Sequence, residues 1–311
     1  MKSDSTAKAS PVANPSKDAD LSVVPKGFNA LLAKLNDIPT LPVVATKVNE
    51  LINNPNSSSA DIADVLKKDQ VLTAKVLKLI NSPYYGIPGE VTDVKRALAY
   101  LGFNTLAQLV LGMSVFSLFP TDPNEDFPLV AFWKHALGTA VYCEVIAKYV
   151  KYPKPEEVFT CGLLHDIGKI VMYTIAKEML VTVVTKAKKD KQSFVEVERD
   201  LDVPGHAYLG EHIATKWALP LVIRHAIRYH HHDVREMSSI LPSEKPVVQM
   251  VTLANAMIIR EGFGHSGDYS SGGLQSYMYE VLGLGDKDLE QIKEKSQMEM
   301  KKATSLLAVY I

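Results

Sequence analysis

The chain has 311 residues, 47% of them hydrophobic, with a formal net charge of −1 and a pI near 6.8. That is enough apolar material for one large or two ordinary domains, and the charge balance excludes the basic face of a dedicated nucleic-acid binder. Two cysteines, Cys143 and Cys161, both in apolar helical stretches, exclude a disulfide framework and read as buried thiols.

Residues 1–22 are rich in Lys, Ser, Ala, Asp and Pro and hold no large apolar side chain before Leu21, which predicts a disordered tail. No apolar signal core follows the N-terminus, and the longest apolar candidate, residues 106–119, is short and interrupted by Gln108, Ser114 and Ser117. The expectation is therefore a cytosolic chain without export signal or membrane span.

From residue 25 to 120 the pattern is helical. Val44, Val48, Leu51 and Ile52 recur at i, i+4, i+7 and i+8 behind Pro42, a residue suited to a first turn. Ser58 and Asp61 form a capping-box pattern before Ile62 and Leu66. Leu72, Val76, Leu79 and Ile80 repeat the helical spacing, and Asn81-Ser82-Pro83 ends it. Asp93 is placed to cap a helix that Gly102 closes, and Asn104 to cap the next.

Residues 120–128 read as a turn-rich hinge. Helical periodicity resumes over 130–150, 156–165, 169–186, 206–217, 220–232, about 247–259, and 286 to about 307, with a Gly/Ser-rich loop at 262–273. There is no alternating strand pattern and no internal repeat. The organisation expected is a tail (1–22), an N-terminal helical subdomain (23–120), a second helical subdomain (121–235), and a C-terminal helical extension (236–311) that completes the second half.

The chemistry concentrates in that second half. His165-Asp166 puts an imidazole nitrogen and a carboxylate oxygen at one backbone point, and a divalent cation accepts both. His135 precedes the pair, His206 follows, and His230, His231 and His232 form a run. His206, Gly210, Ile213 and Trp217 share one helical stripe, which turns His206 inward and His212 outward. A buried His-Asp pair needs partners, and either a metal or a hydrogen-bonded histidine network supplies them. His225, His232 and His265 read as surface or supporting residues. The Gly262-Phe263-Gly264-His265-Ser266-Gly267 string has the letters of a dinucleotide loop but follows a helix, so that reading fails. The basic run 186–191 reads as a solvated helix face.

Two stretches carry a family resemblance. One is Ile38-Pro39-Thr40-Leu41-Pro42, residues 66–86 ending in Asn81-Ser82-Pro83-Tyr84-Tyr85-Gly86, and Ala97-Leu98-Ala99-Tyr100-Leu101-Gly102. The other is residues 163–169, residues 206–217, Leu219-Pro220 and His230-His231. Together they resemble the HDOD family, the HD-related output domains of bacterial signalling. The resemblance implies an all-α fold, an N-terminal helical bundle packed against an HD-like half. The second half also resembles the HD-GYP phosphodiesterases, which hydrolyse cyclic di-GMP at a multi-metal site.

That likeness implies His135, His165, Asp166, His206, His230 and His231 as metal ligands, with iron, nickel, zinc or manganese as the cation. If the chain is active, Asp166 and Lys169 are the catalytic candidates, with Lys169 facing a phosphate. Three departures weigh against catalysis. Asn255 stands where the last acidic ligand is expected, Ala131 replaces a glutamate one turn before His135, and no Gly-Tyr-Pro follows residues 230–232. The expectation is thus a stand-alone regulatory scaffold that docks on signalling proteins, with no nucleic-acid or membrane partner. A metal-dependent phosphohydrolase on a nucleotide or cyclic dinucleotide is the alternative, and a small-ligand sensor a third.

Overall fold

The computed structural model of the chain describes residues 28–119, 127–270 and 273–310. The expected tail and most of the hinge at 120–128 lie outside the described residues. Among the described residues every regular element is a helix.

The N-terminal half is α1 (Phe28–Leu35), α2 (Val43–Asn53), α3 (Ser59–Leu66), α4 (Gln70–Ile80) and α5 (Val94–Phe116). Local chemistry sets their ends. Ser58 and Asp61 make the reciprocal capping box at α3, and Asp69 and Asp93 accept the Leu72 and Arg96 amides at the starts of α4 and α5. The Asn81 side chain clamps Val91 from both sides, donating to its carbonyl at 2.9 Å and accepting its amide at 2.8 Å, which fixes the turn after α4. α5 is broken at Gly102, whose φ of 76° and ψ of 174° no helix accommodates. Asn104 therefore lies inside the second segment instead of capping it.

The second half begins with α6 (Leu129–Tyr149), α7 (Pro155–Leu164), α8 (Ile167–Ile175), α9 (Lys177–Asp190) and α10 (Phe194–Asp200). It continues with α11 (His206–Lys216), α12 (Leu221–Tyr229), α13 (Lys245–Glu261), α14 (Tyr277–Glu280) and α15 (Asp286–Tyr310). The periodic stretch 169–186 is two helices, parted at the non-helical Ala176. Helix α10 was not expected. The capping box at its start, Ser193 with Glu196, was legible as a Ser-x-x-Glu pattern.

One continuous apolar core joins the halves. The second segment of α5 is buried throughout from Leu106 to Phe116 and packs on α2 and α7. α7 lies along α6, α13 covers both, and α15 crosses α6 and reaches α4. Two stretches, Val94–Phe116 and Pro155–Ile175, are by length and composition alone apolar enough to cross a membrane. Both serve as core here: the first is 56% and the second 89% buried, and Gly102 and the His165-Asp166 bend interrupt them. Cys143 and Cys161 are buried free thiols.

Polar contacts tie the segment before α2 to the end of α11. Trp217 Nε1 donates to Pro39 O at 3.0 Å, Lys216 Nζ to Leu35 O at 3.0 Å, and Asn49 Nδ2 to Ala218 O at 2.8 Å. Trp217 is 5% exposed and also faces Phe119. Trp217→Ala should therefore destabilise the protein by roughly 3–5 kcal/mol, because it removes a buried aromatic and leaves the Pro39 carbonyl without its donor. An unchanged denaturant midpoint would contradict this.

Candidate metal centre

His165 ends α7 and Asp166 starts α8, so the chain bends between them and aims both side chains inward. His135 comes from the middle of α6, His206 is the first residue of α11, and His230 and His231 follow α12. Close backbone crossings bring these ends together. A Cβ on Gly168 would lie 1.8 Å from the His206 carbonyl oxygen, and one on Gly210 would lie 3.0 Å from Gly168 N. Only glycine lets the start of α8 rest on the start of α11 so closely. The loop after α13 presses on α6 in the same way: a Cβ on Gly264 (φ +73°) would lie 2.3 Å from His135 N, and the His265 amide donates to Ala131 O at 2.8 Å. The dinucleotide-like string is thus a brace for the helix that carries His135.

Asp166 is the hub. Its Oδ1 lies 3.2 Å from His206 Nε2 and 3.4 Å from His230 Nε2. Its Oδ2 lies 3.4 Å from His165 Nε2 and 3.8 Å from His135 Nε2. His206 Nε2 is 3.1 Å from His231 Nε2 and 3.5 Å from His230 Nε2. Two donor groups result, His135–His165–Asp166 and Asp166–His206–His230–His231, each with its ligand atoms within 4.8 Å of one another. All six residues named from sequence meet here. His212 lies outside the cluster. His225 pairs with Glu244 at 2.5 Å, His232 packs on Tyr229, and His265 Nδ1 accepts the Gly267 amide.

Tautomers follow from the outer ring nitrogens. His165 Nδ1 donates to Gly162 O at 2.7 Å, His230 Nδ1 to Ile227 O at 2.9 Å, and His206 Nδ1 to Glu198 Oε2 at 2.8 Å. A carbonyl or carboxylate can only accept, so each neutral ring directs an Nε2 lone pair at the centre. Those lone pairs face one another and a carboxylate. They are compatible only if a positive charge, a proton or a metal ion, sits among them. His135 Nε2, His165 Nε2, Asp166 Oδ1 and Asn255 Oδ1 are also buried without a hydrogen-bond partner. The donor set therefore fits a divalent metal, with outward N–H groups anchored as metal-binding imidazoles require.

Glu198 was missed by the sequence reading. It is 3% exposed and accepts both the His206 backbone amide at 2.6 Å and its ring Nδ1. Lys169, for which the resemblance implies a phosphate contact, is paired inside the cluster. It is 1% exposed, donates to Asp166 Oδ2 at 2.7 Å, and sits 4.7 Å from the Phe194 ring centroid. Asn255 is buried on α13, a neutral side chain where an acid was expected.

Burial sets the protonation states. It pushes His135 and His231 well below the usual imidazole range, helped by neighbouring histidines, and pushes His230 down to about 3. Burial also opposes ionisation of Asp166, but Lys169, then His165 and His206, outweigh it and hold the carboxyl well below its usual value. For His206 burial again opposes the charge, and Glu198 outweighs it, so this ring is raised.

The HDOD domain profile matches residues 38–233. An uncharacterised protein from Treponema pallidum (strain Nichols) is 27% identical over 237 residues, which cover 72% of this chain and 43% of the relative. The chain thus spans under half of that relative's length. An HDOD domain protein of unknown function from Geobacter sulfurreducens superposes with a TM-score of 0.72 at 24% identity, covering 90% of this chain and 96% of that one. A Shewanella amazonensis SB2B protein provisionally assigned as a metal-dependent phosphohydrolase superposes with a TM-score of 0.58 at 18% identity, covering 91% and 98%. These structural likenesses establish the all-helical fold.

Two outcomes follow from the geometry. Gly168→Ala should destabilise the protein at the upper end of the roughly 1–3 kcal/mol seen for overpacking, because the new methyl meets backbone, while Gly285→Ala, with nothing nearer than Asp288 Oδ2 at 3.8 Å, should be mild. Equal denaturant midpoints for the two variants would contradict the tight crossing. The second outcome concerns pH. His135, His230 and His231 hold fewer protons folded than unfolded, so metal-free stability should fall as pH drops from 6.5 toward 5, with a slope that approaches about 1.4 kcal/mol per unit for each ring at the acid end. His206 has the opposite sign: its proton is retained on folding, so its contribution is lost as pH rises through its raised folded pKa. In chelator, urea midpoints should peak near neutral pH, and His231→Asn should flatten the acid limb; an acid limb unchanged by that variant would refute the assignment.

Proposed function

This chain belongs to the HDOD domain family, and we propose that it is a signal-transduction module that works through contacts with other signalling proteins and does not hydrolyse a substrate. Its HD-like half holds a divalent metal as part of the scaffold. The observation that carries this reading is the enclosure of the centre. His135, His165, Asp166, Lys169, His206 and His230 are each at most 1% exposed, and His231 at the edge of the cluster is partly exposed. Lys169, the residue that would meet a phosphate, is spent on Asp166. A hydrolytic metal needs an open coordination position that substrate and water can reach.

The sharing of Asp166 by two donor groups favours a second reading, a two-metal phosphohydrolase in which His135, His165 and Asp166, and Asp166 with His206, His230 and His231, would hold the ions. In that case the metal would supply an activated hydroxide, Asp166 would position it, and Lys169 would have to leave Asp166 to meet a phosphate oxygen.

Turnover separates the two. The purified full chain, supplied with manganese or iron(II), should release no product from cyclic di-GMP or from bis(p-nitrophenyl) phosphate beyond the rate of Asp166→Ala. Metal-dependent turnover that this variant abolishes would overturn the scaffold reading and establish the hydrolase.

A further inference from the structure

Helix α13 ends at Gly262 and the chain turns onto α6, while α15 crosses α6 nearby; a groove remains between them. We propose that this groove binds a small uncharged molecule with an apolar body and one carbonyl oxygen, a ketone or an amide, and that Tyr142 is the residue that recognises it. Tyr142 is seven residues along α6 from His135, about 10 Å, so the site stands whether or not the histidine cluster holds an ion.

The groove follows from the packing. A Cβ on Gly138 would lie 2.8 Å from Ile258 Cγ1 and 3.0 Å from Phe263 Cδ1, so the end of α13 and the residue after its cap are drawn hard against α6 at that point. Gly262, with φ of 67°, makes the turn. Tyr142 lies one helical turn further along the same face of α6. The cavity beside it is about 360 Å³, with Ile258, Phe263 and Met300 among its walls. That volume lies within the roughly 300–1,000 Å³ of small-molecule pockets, and walls of this apolar and aromatic kind are what such pockets use.

The polar feature of the site is the Tyr142 hydroxyl. Tyr142 lines the cavity and is 1% exposed, and its oxygen is buried without a hydrogen-bond partner. A buried phenol is costly in that state, and its O–H is a donor that lacks an acceptor. The polar neighbours are already engaged. Glu261 lines the same cavity, but one of its oxygens pairs with Lys293 Nζ at 3.0 Å and the other accepts from Gln297 Nε2 at 2.6 Å. Thr304 donates its hydroxyl to Met300 O at 3.0 Å.

Charge decides which acceptor fits. Burial, and then the Glu261 carboxylate, hold the Tyr142 phenol above its usual range, so negative charge beside that oxygen is disfavoured. A ligand carboxylate would meet the same opposition. An ammonium would lose its hydration against Ile258, Phe263 and Met300, and both oxygens of Glu261 are already bound. Lys301, exposed on the lining, repels it further. A neutral carbonyl oxygen accepts from the phenol with no charge to bury, while the apolar body covers the walls.

The test titrates the full chain with acetophenone, benzoate and benzylammonium, probes of similar size that differ in head group, with binding read by saturation-transfer NMR. Acetophenone should bind at least fivefold more tightly than either ion, and the infrared carbonyl stretch of the bound ketone should move to lower frequency. Tyr142→Phe should weaken acetophenone at least fivefold and abolish that shift. It should also leave the melting temperature of the free protein unchanged or raised, because the hydroxyl makes no bond there. Thr304→Phe, at an exposed position on the lining, should fill the groove and weaken acetophenone at least tenfold. Arg260→Gln, in the neighbouring cavity of about 460 Å³, should change nothing. Tighter binding of benzoate or benzylammonium, no binding of acetophenone, or full affinity in Tyr142→Phe or Thr304→Phe would overturn the proposal. A lower melting temperature for ligand-free Tyr142→Phe would show the hydroxyl already bonded and would remove its role. None of these readouts involves the histidine cluster.

Discussion

Asp166 is a carboxylate buried in the core of a helical protein, and the second half of the structure is organised by the need to neutralise it. An ionised carboxyl away from water is stable only with close positive or hydrogen-bonding partners. Here Lys169 takes one oxygen, while four imidazoles approach the two oxygens at 3.2 to 3.8 Å. Each partner comes from a different segment: α6, the α7–α8 bend, α8, α11 and the turn after α12. The carboxylate is therefore a point at which five pieces of chain must agree. The glycines at the crossings are the steric condition for that agreement. Gly168 and Gly210 let α8 and α11 touch, Gly162 lets α7 lie on Ala140 and Cys143 of α6, and Gly264 seats a loop on the turn that carries His135. A methyl group at any of these places would push a ligand off the centre.

Much of this was legible from residue types alone. The apolar stripe through His206, Gly210, Ile213 and Trp217 predicts which face of α11 is buried, and the same stripe turns His212 away; Trp217 and His206 are indeed both in the interior. Capping residues at 58, 61 and 93 mark real helix starts because a side-chain oxygen satisfies an amide no helix can satisfy internally. Asn104 misled for a physical reason: Gly102 breaks the helix by its backbone conformation, so the new helix begins before a cap is needed at 104. The two stretches that meet the length and apolarity of a membrane span do so because core helices of a large all-α protein face apolar neighbours on most sides.

What sequence could not supply was the orientation of charged side chains in three dimensions. Glu198 lies on a seven-residue helix and is eight residues before His206, a separation with no periodic meaning; only the fold of the α10–α11 connection brings it under the imidazole. Lys169 is three residues after Asp166, and that spacing on a helix allows an ion pair as readily as a free ammonium. Phe194 decides between them by walling off the outward path, and Phe194 belongs to the same unforeseen helix. Helix α10 thus supplies one anchor for a histidine and one cover for the lysine.

The same geometry connects the centre to the N-terminal half. Helix α11 begins at His206, held by Glu198, and at its far end Lys216 and Trp217 bond to the carbonyls of Leu35 and Pro39, while Asn49 holds Ala218 just beyond. Helices in a close-packed core move as rigid bodies, so a displacement at one end of a three-turn helix is carried to the other. Glu198 favours the positive form of His206, whereas a metal would demand the neutral one. Pro39, bonded to Trp217, belongs to the Ile38–Pro42 segment that enters α2. Among the described residues, helix α11 is thus the one element bonded both to Glu198 at the centre and to the α1–α2 segment of the N-terminal half.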